Sequence, residues 1–441
     1  MVMVSPDRNQ NRSFSCFSAI LSSGSLENLS YGGCPSSGCC IYVYHRNYKG
    51  SEEMKLLYIN MVNLRQVSET GGSYGNKRIS DMLKCIYGVE NFFIYDMVYY
   101  RSFFHTFRNT LFGRAGGYKQ DDLHRIISMI EKNSIDIVHI TSNIGTLARD
   151  LKEKIETIKI ITFCHNLEYK FLKQSLARYS VFKKLAYSIN VLATFKSEKN
   201  ACKHSDLLIT INKRDSDDFY IHYARKADFC LPMSYEDKFE SKRSCLTDVR
   251  TDFILFVGSN FFGNTEGLFW FIENCLTKIN IKLIVVGSGM DAYRNKYPNY
   301  NVEFLGFVKD LSDYYYEAAA VVLPIISGSG MKTKTCEALM YGKTIFGTKE
   351  AFEGYELDYD KIGSLCNNEE DFINSINGLK SERVNNYSRQ VFLNKYETNF
   401  KQKRTKKEKC LAMACMHIKE IIYMIAIPFL FVLAIIPFIK K

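Results

Sequence analysis

Residues 328–337 combine residue types and a spacing that suit phosphate binding. An apolar run that ends at Ile326 is followed by Gly328, Ser329 and Gly330, and a helical pattern begins directly after them. The glycines permit a tight turn and a close approach of a ligand to the backbone, and Ser329 is expected to cap the helix. Free N–H groups and the positive dipole end of a helix start attract phosphate. The stretch is therefore a candidate anion site.

Three charged side chains follow this turn. Lys332 and Lys334 add positive charge, and Glu337 stands eight residues after Ser329. That separation is about 12 Å along a helix at roughly 1.5 Å per residue, and the side chain of Glu337 leans back toward the helix start. A diphosphate at the helix start and a ribose diol at Glu337 fit this spacing. A glycine turn before a helix is also a common structural device, so the motif by itself leaves both interpretations open.

The elements that must position these residues are strands and helices in alternation. Alternation of this kind, which begins at Met54, is typical of parallel, doubly wound α/β sheets. A first series of apolar runs covers residues 55–60, 91–96, 135–141, 158–164 and 206–212, and a second covers 253–259, 281–289, 301–308, 320–326, 343–348 and 362–367. Ligands of such sheets bind at the carboxyl ends of the strands. The sequence predicts two Rossmann-like domains, residues 54–235 and 236–400, with the active site in the cleft between them.

The composition narrows the classes of partner and compartment. The 441 residues include 58 basic and 47 acidic side chains, a formal charge of +11. This excess suits a membrane surface, a nucleotide or nucleic acid, or only a solvated basic surface. No nucleic-acid recognition motif is present, so we expect no nucleic-acid partner. The 14 cysteines are mostly scattered singly without zinc spacing, which indicates a reducing, cytoplasmic compartment.

Both ends of the chain differ from the centre. Residues 1–53 lack periodicity and are not a signal peptide. We expect that translation starts at Met54 and that this leader is an artefact; a genuine disordered extension is the alternative. Residues 401–441 carry a basic stretch, then nineteen uncharged residues at 421–439, about enough to span a bilayer. This pattern predicts a C-terminal apolar helix anchored with its basic flank in the cytoplasm. An interfacial helix or non-native sequence are the alternatives.

Four segments, in order, identify a family resemblance. The segments lie between Phe253 and Glu356 and read "ILFVGSNFFGNTEGLFWFIE", "LIVVGSG", "NVEFLGFVKDLSDYYYEAAAVVLPIISGSGMKTKTCEALMYGKTIFGT" and "FEGYE". They resemble the nucleotide-sugar-binding half of GT-B glycosyltransferases, specifically glycosyltransferase family 4 (group 1). The resemblance implies the GT-B fold and a donor site formed in this half by Gly258, Ser259, Asn260, Gly328, Ser329, Gly330, Met331, Lys332, Lys334 and Glu337.

The sequence departs from the family pattern at two places. The first of two family glutamates falls on Ser329, while the second, with a role at the donor ribose, matches Glu337. Many members also carry an Arg and a Lys after the first strand of this half, whereas residues 258–264 contain no base. We expect Lys332 or Lys334 to compensate for them.

The N-terminal half resembles the same family more loosely. Gly71 and Gly72 resemble its glycine loop, which faces the donor phosphates and the acceptor, and "TFCHNLEYKF" resembles its His-Asn-x-Glu segment. A lone histidine after a strand is more often structural. The resemblance implies a site role for His165 beside the donor sugar, while Asn166 and Glu168 order the loop.

The reaction implied by the resemblance is sugar transfer from a nucleoside diphosphate sugar with retention of configuration. It requires neither a cofactor nor a metal, and no Asp-x-Asp motif directly follows a predicted strand. Basic segments at 99–114 and 172–199 suit an anionic membrane, or are ordinary packed helices. A lipid-linked glycan acceptor at the inner membrane face is the leading interpretation, with capsule or O-antigen synthesis as the family-level context. A 2-epimerase or hydrolase of the same fold and a degenerate binding scaffold are the alternatives.

Overall fold

The computed structural model describes residues 54–62, 71–98, 107–108, 112–115, 118–176, 178–241, 252–379 and 384–397. The predictions for the leader at 1–53 and for the apolar helix at 421–439 lie outside this range, as does most of the basic segment at 99–114. Among the described residues, no helix combines the length and apolar character needed to cross a bilayer.

A parallel six-stranded sheet forms the N-terminal half of the described chain. Its strand order is β2-β1-β3-β4-β5-β6, with parallel pairing throughout. The last strand has only two residues, too few for any periodic pattern, and the sequence did not predict it. The strands are β1 Leu56–Val62, β2 Phe92–Val98, β3 Ile137–Thr141, β4 Lys159–Cys164, β5 Leu207–Thr210 and β6 Phe229–Cys230.

A second parallel six-stranded sheet follows in the described part of the C-terminal half. Its order is β12-β11-β10-β7-β8-β9, again parallel throughout. The strands are β7 Phe253–Val257, β8 Lys282–Val286, β9 Val302–Leu305, β10 Ala320–Leu323, β11 Ile345–Gly347 and β12 Gly363–Leu365. The predicted α/β class with two doubly wound halves is confirmed.

Helices connect successive strands and cover the sheets. Within the described ranges the α-helices are α1 Gly71–Tyr87, α2 Gln120–Asn133, α3 Thr146–Lys154, α4 Glu168–Leu176, α5 Val181–His204, α6 Lys213–Tyr223, α7 Phe262–Asn274, α8 Ser312–Glu317, α9 Thr333–Met340, α10 Tyr359–Ile362, α11 Glu369–Asn377 and α12 Asn386–Val391. Because helices cover both faces, central strands such as β3 and β10 are buried along their whole length, which explains their continuous apolar runs.

The two halves pack through a shared apolar cluster. Ile211 and Met233 of the first half belong to the same buried cluster as Met331 and Tyr355 of the second. The last described segment returns to this junction, where Tyr235 N donates to Tyr396 O at 2.8 Å. This packing brings the carboxyl edge of the second sheet against the first half.

Candidate active site

The strand order of the second sheet gathers its predicted site residues at one edge. Strand β7 lies between β10 and β8, so the loop after β7 and the glycine turn after β10, residues 327–330, meet at the carboxyl edge. Helix α7, which follows the β7 loop, packs tightly here, because a Cβ on Gly267 would lie 1.6 Å from Pro324 O. The starts of α7 and α9 therefore both lie at this edge of the sheet.

The glycine turn leads into α9 differently from the sequence prediction. The helix begins at Thr333, and its N-cap is Lys332 with φ −85° and ψ 116°. The prediction that Ser329 caps this helix is wrong, because Gly330 has φ +63° and Lys332 is extended, which displaces the helix start from Ser329. The N–H groups of the first turn of α9 remain at the edge of the sheet.

Gly330 also joins the two halves of the protein. A Cβ at this position would lie 2.9 Å from His165 O and 3.0 Å from Ile211 Cδ1. Its positive φ favours glycine as well. The turn thus lies directly against the loop that carries His165, and any larger residue would push the two halves apart.

Lys332 is held by a carboxylate between the halves. Its Nζ donates to Glu350 Oε1 at 2.7 Å and to Gly330 O at 3.0 Å, while Arg214 donates to the other oxygen of Glu350 at 2.7 Å. Burial alone would raise the pKa of Glu350, but Lys332 and Arg214 outweigh it and hold the pKa below its ordinary value. Neither Arg214 nor Glu350 was singled out from the sequence, since neither belongs to a local motif.

Lys334 lies beneath the loop that follows β7. It donates to Asn264 Oδ1, its Nζ lies 5.0 Å from the centre of the Phe256 ring, and Asn264 in turn donates to Ser259 O at 2.9 Å. Burial lowers the pKa of Lys334 to about 7, and the nearby charge of Lys332 adds to this. The loop after β7 contains no basic residue, and Lys334 of α9 places a basic side chain next to it. The role of Lys334 in binding stays a prediction.

Glu337 lies further along the same helix with one phenol partner. Tyr315 donates to its Oε2 at 3.0 Å, and Tyr315 stacks on Tyr341 with ring centres 4.7 Å apart. Burial raises the pKa of Glu337, and the hydrogen bond from Tyr315 opposes the rise. Tyr315 was missed by the sequence analysis because it lies on a different helix, α8.

The remaining predicted residues of this half divide between loop and core. Gly258 N donates to Val286 O at 2.9 Å and Asn260 N donates to Ser288 O at 2.8 Å, which ties the ends of β7 and β8 together. Met331 is buried and accepts a hydrogen bond from Met233 N on its sulfur at 3.5 Å. Its side chain therefore packs in the core between the halves and does not face the edge.

His165 follows β4 in the first half and faces the glycine turn through its backbone. Its Nε2 lies 2.7 Å from Asn76 Oδ1 on α1, and its ring contacts Phe163 edge-on at 4.8 Å between centres. Burial lowers the pKa of His165 to about 4, with a smaller contribution from Arg78. The imidazole is consequently neutral at physiological pH and its orientation is fixed.

Two further predictions for the first half concern the glycine loop at Gly71 and Gly72 and the loop that follows His165. Gly71 and Gly72 form the first turn of α1; the predicted glycine loop is wrong at these two residues, because the helix already begins at Gly71. The loop after His165 is ordered mainly by Glu198, which accepts from the N–H groups of Glu168 at 2.8 Å and Tyr169 at 3.2 Å. Glu198 lies within α5, and nothing in the sequence pattern distinguishes it.

Comparisons with known proteins agree with this architecture. Residues 251–381 match the family model described as glycosyl transferases group 1, and no curated protein matches the chain in sequence. A sucrose-phosphate synthase from Thermosynechococcus elongatus superposes with a TM-score of 0.60 at 11% identity, covering 84% of this chain and 99% of that one.

Two further solved structures are similar. The lipopolysaccharide outer core galactosyltransferase WaaB in its apo form gives a TM-score of 0.53 at 15% identity and covers 82% of this chain and 100% of its own. Anabaena HepE in complex with UDP gives 0.51 at 12% identity, covering 78% and 96%. At these identities the likeness establishes the fold, which is GT-B.

Proposed function

We propose that this GT-B chain, whose residues 251–381 match the family model of group 1 glycosyl transferases, moves a sugar from a nucleoside diphosphate sugar to a glycan acceptor with retention of configuration. The observation that carries this proposal is the carboxyl edge of the second sheet. There the glycine turn, the start of α9, Lys334 and Glu337 follow one another within residues 328–337, and the turn lies against the loop of His165. The UDP complex of HepE supports a nucleotide at this edge.

In the proposed complex the diphosphate lies on the N–H groups of the glycine turn and the first turn of α9. Charge that develops on the departing nucleoside diphosphate is stabilised by these N–H groups and by Lys334, in an environment that excludes much of the water. Glu337 accepts hydrogen bonds from the ribose diol, and Gly258, Ser259 and Asn260 line the nucleotide. In this scheme the reaction uses no metal and no cofactor.

His165 has a positioning role in this proposal. Its ring is neutral and fixed by Asn76, so it offers one hydrogen-bonding nitrogen of constant protonation to the donor sugar. A group with a pKa near 4 is a weak base at neutral pH, which argues against His165 as a general base. No protein nucleophile is assigned.

The test of this function is a two-stage assay with the full chain. A panel of nucleotide sugars is first screened for binding, and the bound donor is then incubated with glycan and lipid-extract acceptors. We expect one donor to bind, an acceptor-dependent glycosylated product, and an anomeric proton coupling in that product equal to the donor's. Monosaccharide release or epimerisation without acceptor would indicate the hydrolase or epimerase, and binding without turnover would indicate a scaffold.

We also propose that the acceptor is lipid-linked and that the protein works at the inner face of the cell membrane in surface polysaccharide synthesis. The support is the surface of α5, where Val181, Leu185 and Leu192 are 78%, 72% and 62% exposed. These three residues are spaced to share one helix face, and Lys183 and Lys184 beside them are exposed. An apolar face flanked by lysines is the pattern of an interfacial helix on anionic lipid.

A double substitution tests this surface. In L185E/L192E we expect sedimentation with phosphatidylglycerol vesicles to weaken by roughly tenfold or more, since burying one leucine contributes about 1.5–3 kcal/mol. Val89→Glu, at a position 79% exposed outside α5, is the matched control and should bind as the unchanged protein does. Equal binding of all three proteins would reject α5 as the docking helix.

A further inference from the structure

The ring of His165 lies on helix α1 at two consecutive residues, Gly75 and Asn76. Its Nε2 is 2.7 Å from Asn76 Oδ1, and a Cβ on Gly75 would lie 3.2 Å from its Cε1 and 3.4 Å from its Nδ1. Asn76 is itself fixed to the sheet, because the hydroxyl of Tyr58 on β1 donates to Asn76 O at 3.1 Å. Two neighbouring residues of α1 therefore act on the two nitrogens of one imidazole.

The contact with Asn76 decides which nitrogen of His165 carries the hydrogen. An amide oxygen only accepts hydrogen bonds, so Nε2 must donate to Asn76 Oδ1. The ring is neutral at physiological pH, because burial lowers the pKa of His165 to about 4. A neutral imidazole carries a single hydrogen, and Nδ1 is consequently a bare acceptor.

The charged and titratable groups that face the ring do not favour a positive charge on it. Arg78 of α1 lowers the pKa of His165 further. His139 of β3 is buried and also neutral, with a pKa lowered to about 3. Among the described residues, no carboxylate contributes to the pKa of His165. The hydrogen bond to Asn76, and not an ion pair, therefore sets the state of the imidazole.

The backbone of α1 does not require a glycine at residue 75. Gly75 is buried inside the helix, and its φ lies outside the left-handed region that favours glycine. A glycine within a helix lowers the helix stability relative to alanine. A methyl group here would press on the Cε1–Nδ1 edge of the His165 ring. The missing side chain thus leaves space beside Nδ1.

The backbone of His165 places this nitrogen next to the proposed donor site. A Cβ on Gly330, in the turn proposed for the diphosphate, would lie 2.9 Å from His165 O. The side chain of His165 is only partly buried. No group of the described residues bonds to Nδ1, nor is this nitrogen enclosed by them. An acceptor without a protein partner is thus available to a substrate hydroxyl.

From this arrangement we infer that Asn76 and Gly75 are positioning residues of His165. Asn76 selects the Nε2–H tautomer, and Gly75 keeps the space in which Nδ1 accepts a hydrogen bond from one hydroxyl of the donor sugar. The inference rests on the proposed function. It restricts the substrate class, because the sugar must present a hydrogen-bond donor at this point, which a methyl ether or a fluorine cannot do.

The first experiment determines the tautomer in the free protein, so it does not depend on any sugar. The histidines of the full chain are labelled with nitrogen isotope, and multiple-bond NMR spectra show which ring nitrogen carries the hydrogen; His165→Gln assigns the signal. We expect Nε2–H in the unchanged protein and in Asn76→Asp, and a mixture of tautomers in Asn76→Leu. Asn133→Asp, on α2, is the matched control and should leave the His165 signals unchanged.

The conservative variant Asn76→Asp separates a tautomer effect from a loss of folding. Its carboxylate keeps the hydrogen on Nε2 and raises the pKa of His165 by stabilising the imidazolium. Nucleotide-sugar affinity should match that of the unchanged protein above the raised pKa. As pH falls through that pKa, affinity relative to the unchanged protein at the same pH should decline, because a protonated Nδ1 cannot accept a hydrogen bond.

The second experiment measures what Nδ1 contributes to donor binding. Calorimetry compares the donor selected from the panel with its deoxyfluoro analogues, one for each sugar hydroxyl. At one position fluorine should weaken binding about tenfold in the unchanged protein and less than about twofold in His165→Ala. Gly75→Ala should keep the tautomer and a stable fold, yet weaken binding of the parent donor about tenfold.

Each part of the inference has its own contradicting result. An Nδ1–H tautomer in the unchanged protein, or an unchanged tautomer in Asn76→Leu, would overturn the role of Asn76. Equal losses for every analogue in the unchanged protein and in His165→Ala would overturn Nδ1 as the hydroxyl acceptor, and full affinity in Gly75→Ala would overturn the role of Gly75. The expected tautomer without any nucleotide-sugar binding would refute the proposed function and the hydroxyl contact, while Asn76 would remain the residue that sets the tautomer.

Discussion

Replacing Glu337 with alanine is expected to weaken nucleotide-sugar binding by about 10- to 150-fold. The carboxylate is proposed to accept hydrogen bonds from the ribose diol, and hydrogen bonds to a charged group contribute about 1.5–3 kcal/mol to binding. The substitution also leaves the Tyr315 hydroxyl, which now donates to Glu337 at 3.0 Å, without that acceptor. Isothermal titration calorimetry with the donor selected from the panel measures the effect.

Two companions make this result specific to the ribose contact. Glu303→Ala removes a surface carboxylate of the same half, one that pairs with Lys282, and should not alter affinity. Tyr315→Phe removes the phenol donor but keeps the carboxylate, so binding should fall much less than in Glu337→Ala. Unchanged affinity in a folded Glu337→Ala protein would mean that the nucleotide lies elsewhere.

Nucleotide-sugar affinity is expected to fall as pH rises above 7, by up to about tenfold per pH unit, and Lys334 is the cause. Burial holds the pKa of its ammonium at about 7 in the free protein, and a bound diphosphate would raise that pKa by stabilising the charge. The free protein therefore binds fewer protons than the complex above pH 7. Binding must then take up a proton, and its affinity declines as protons become scarce.

Calorimetry at several pH values, in buffers of different ionisation enthalpy, measures this proton uptake directly. Lys334→Met keeps an apolar stem of similar length, and we expect it to bind more weakly at pH 7 and to lose the pH dependence. Lys282→Met, which removes an exposed lysine of β8, should retain both affinity and pH dependence. A pH profile in Lys334→Met that matches the unchanged protein would assign the titration to another group.

Local sequence patterns were sufficient for the architecture, apart from the two-residue strand β6. Apolar runs such as those of β3 and β10 predicted buried parallel strands, because strands covered on both faces need no polar alternation. The glycine turn, Lys334 and Glu337 could also be identified, since they fall on one continuous stretch between a strand and a helix. Cap geometry was less predictable: Ser329 is a good capping residue by type, but the φ of +63° at Gly330 moved the helix start to Thr333.

What the sequence by itself determined is therefore the order of strands and helices and the residues of a single continuous motif, because periodicity and spacing act over a few neighbouring positions. Only the tertiary structure decided which distant residues complete the site. Asn264 meets Lys334 across 70 positions, and Arg214 meets Glu350 across 136. Asn264 and Lys334 meet because β7 and β10 are neighbours in one sheet, whereas Arg214 and Glu350 meet because the two halves pack together; no spacing within either segment encodes the partner.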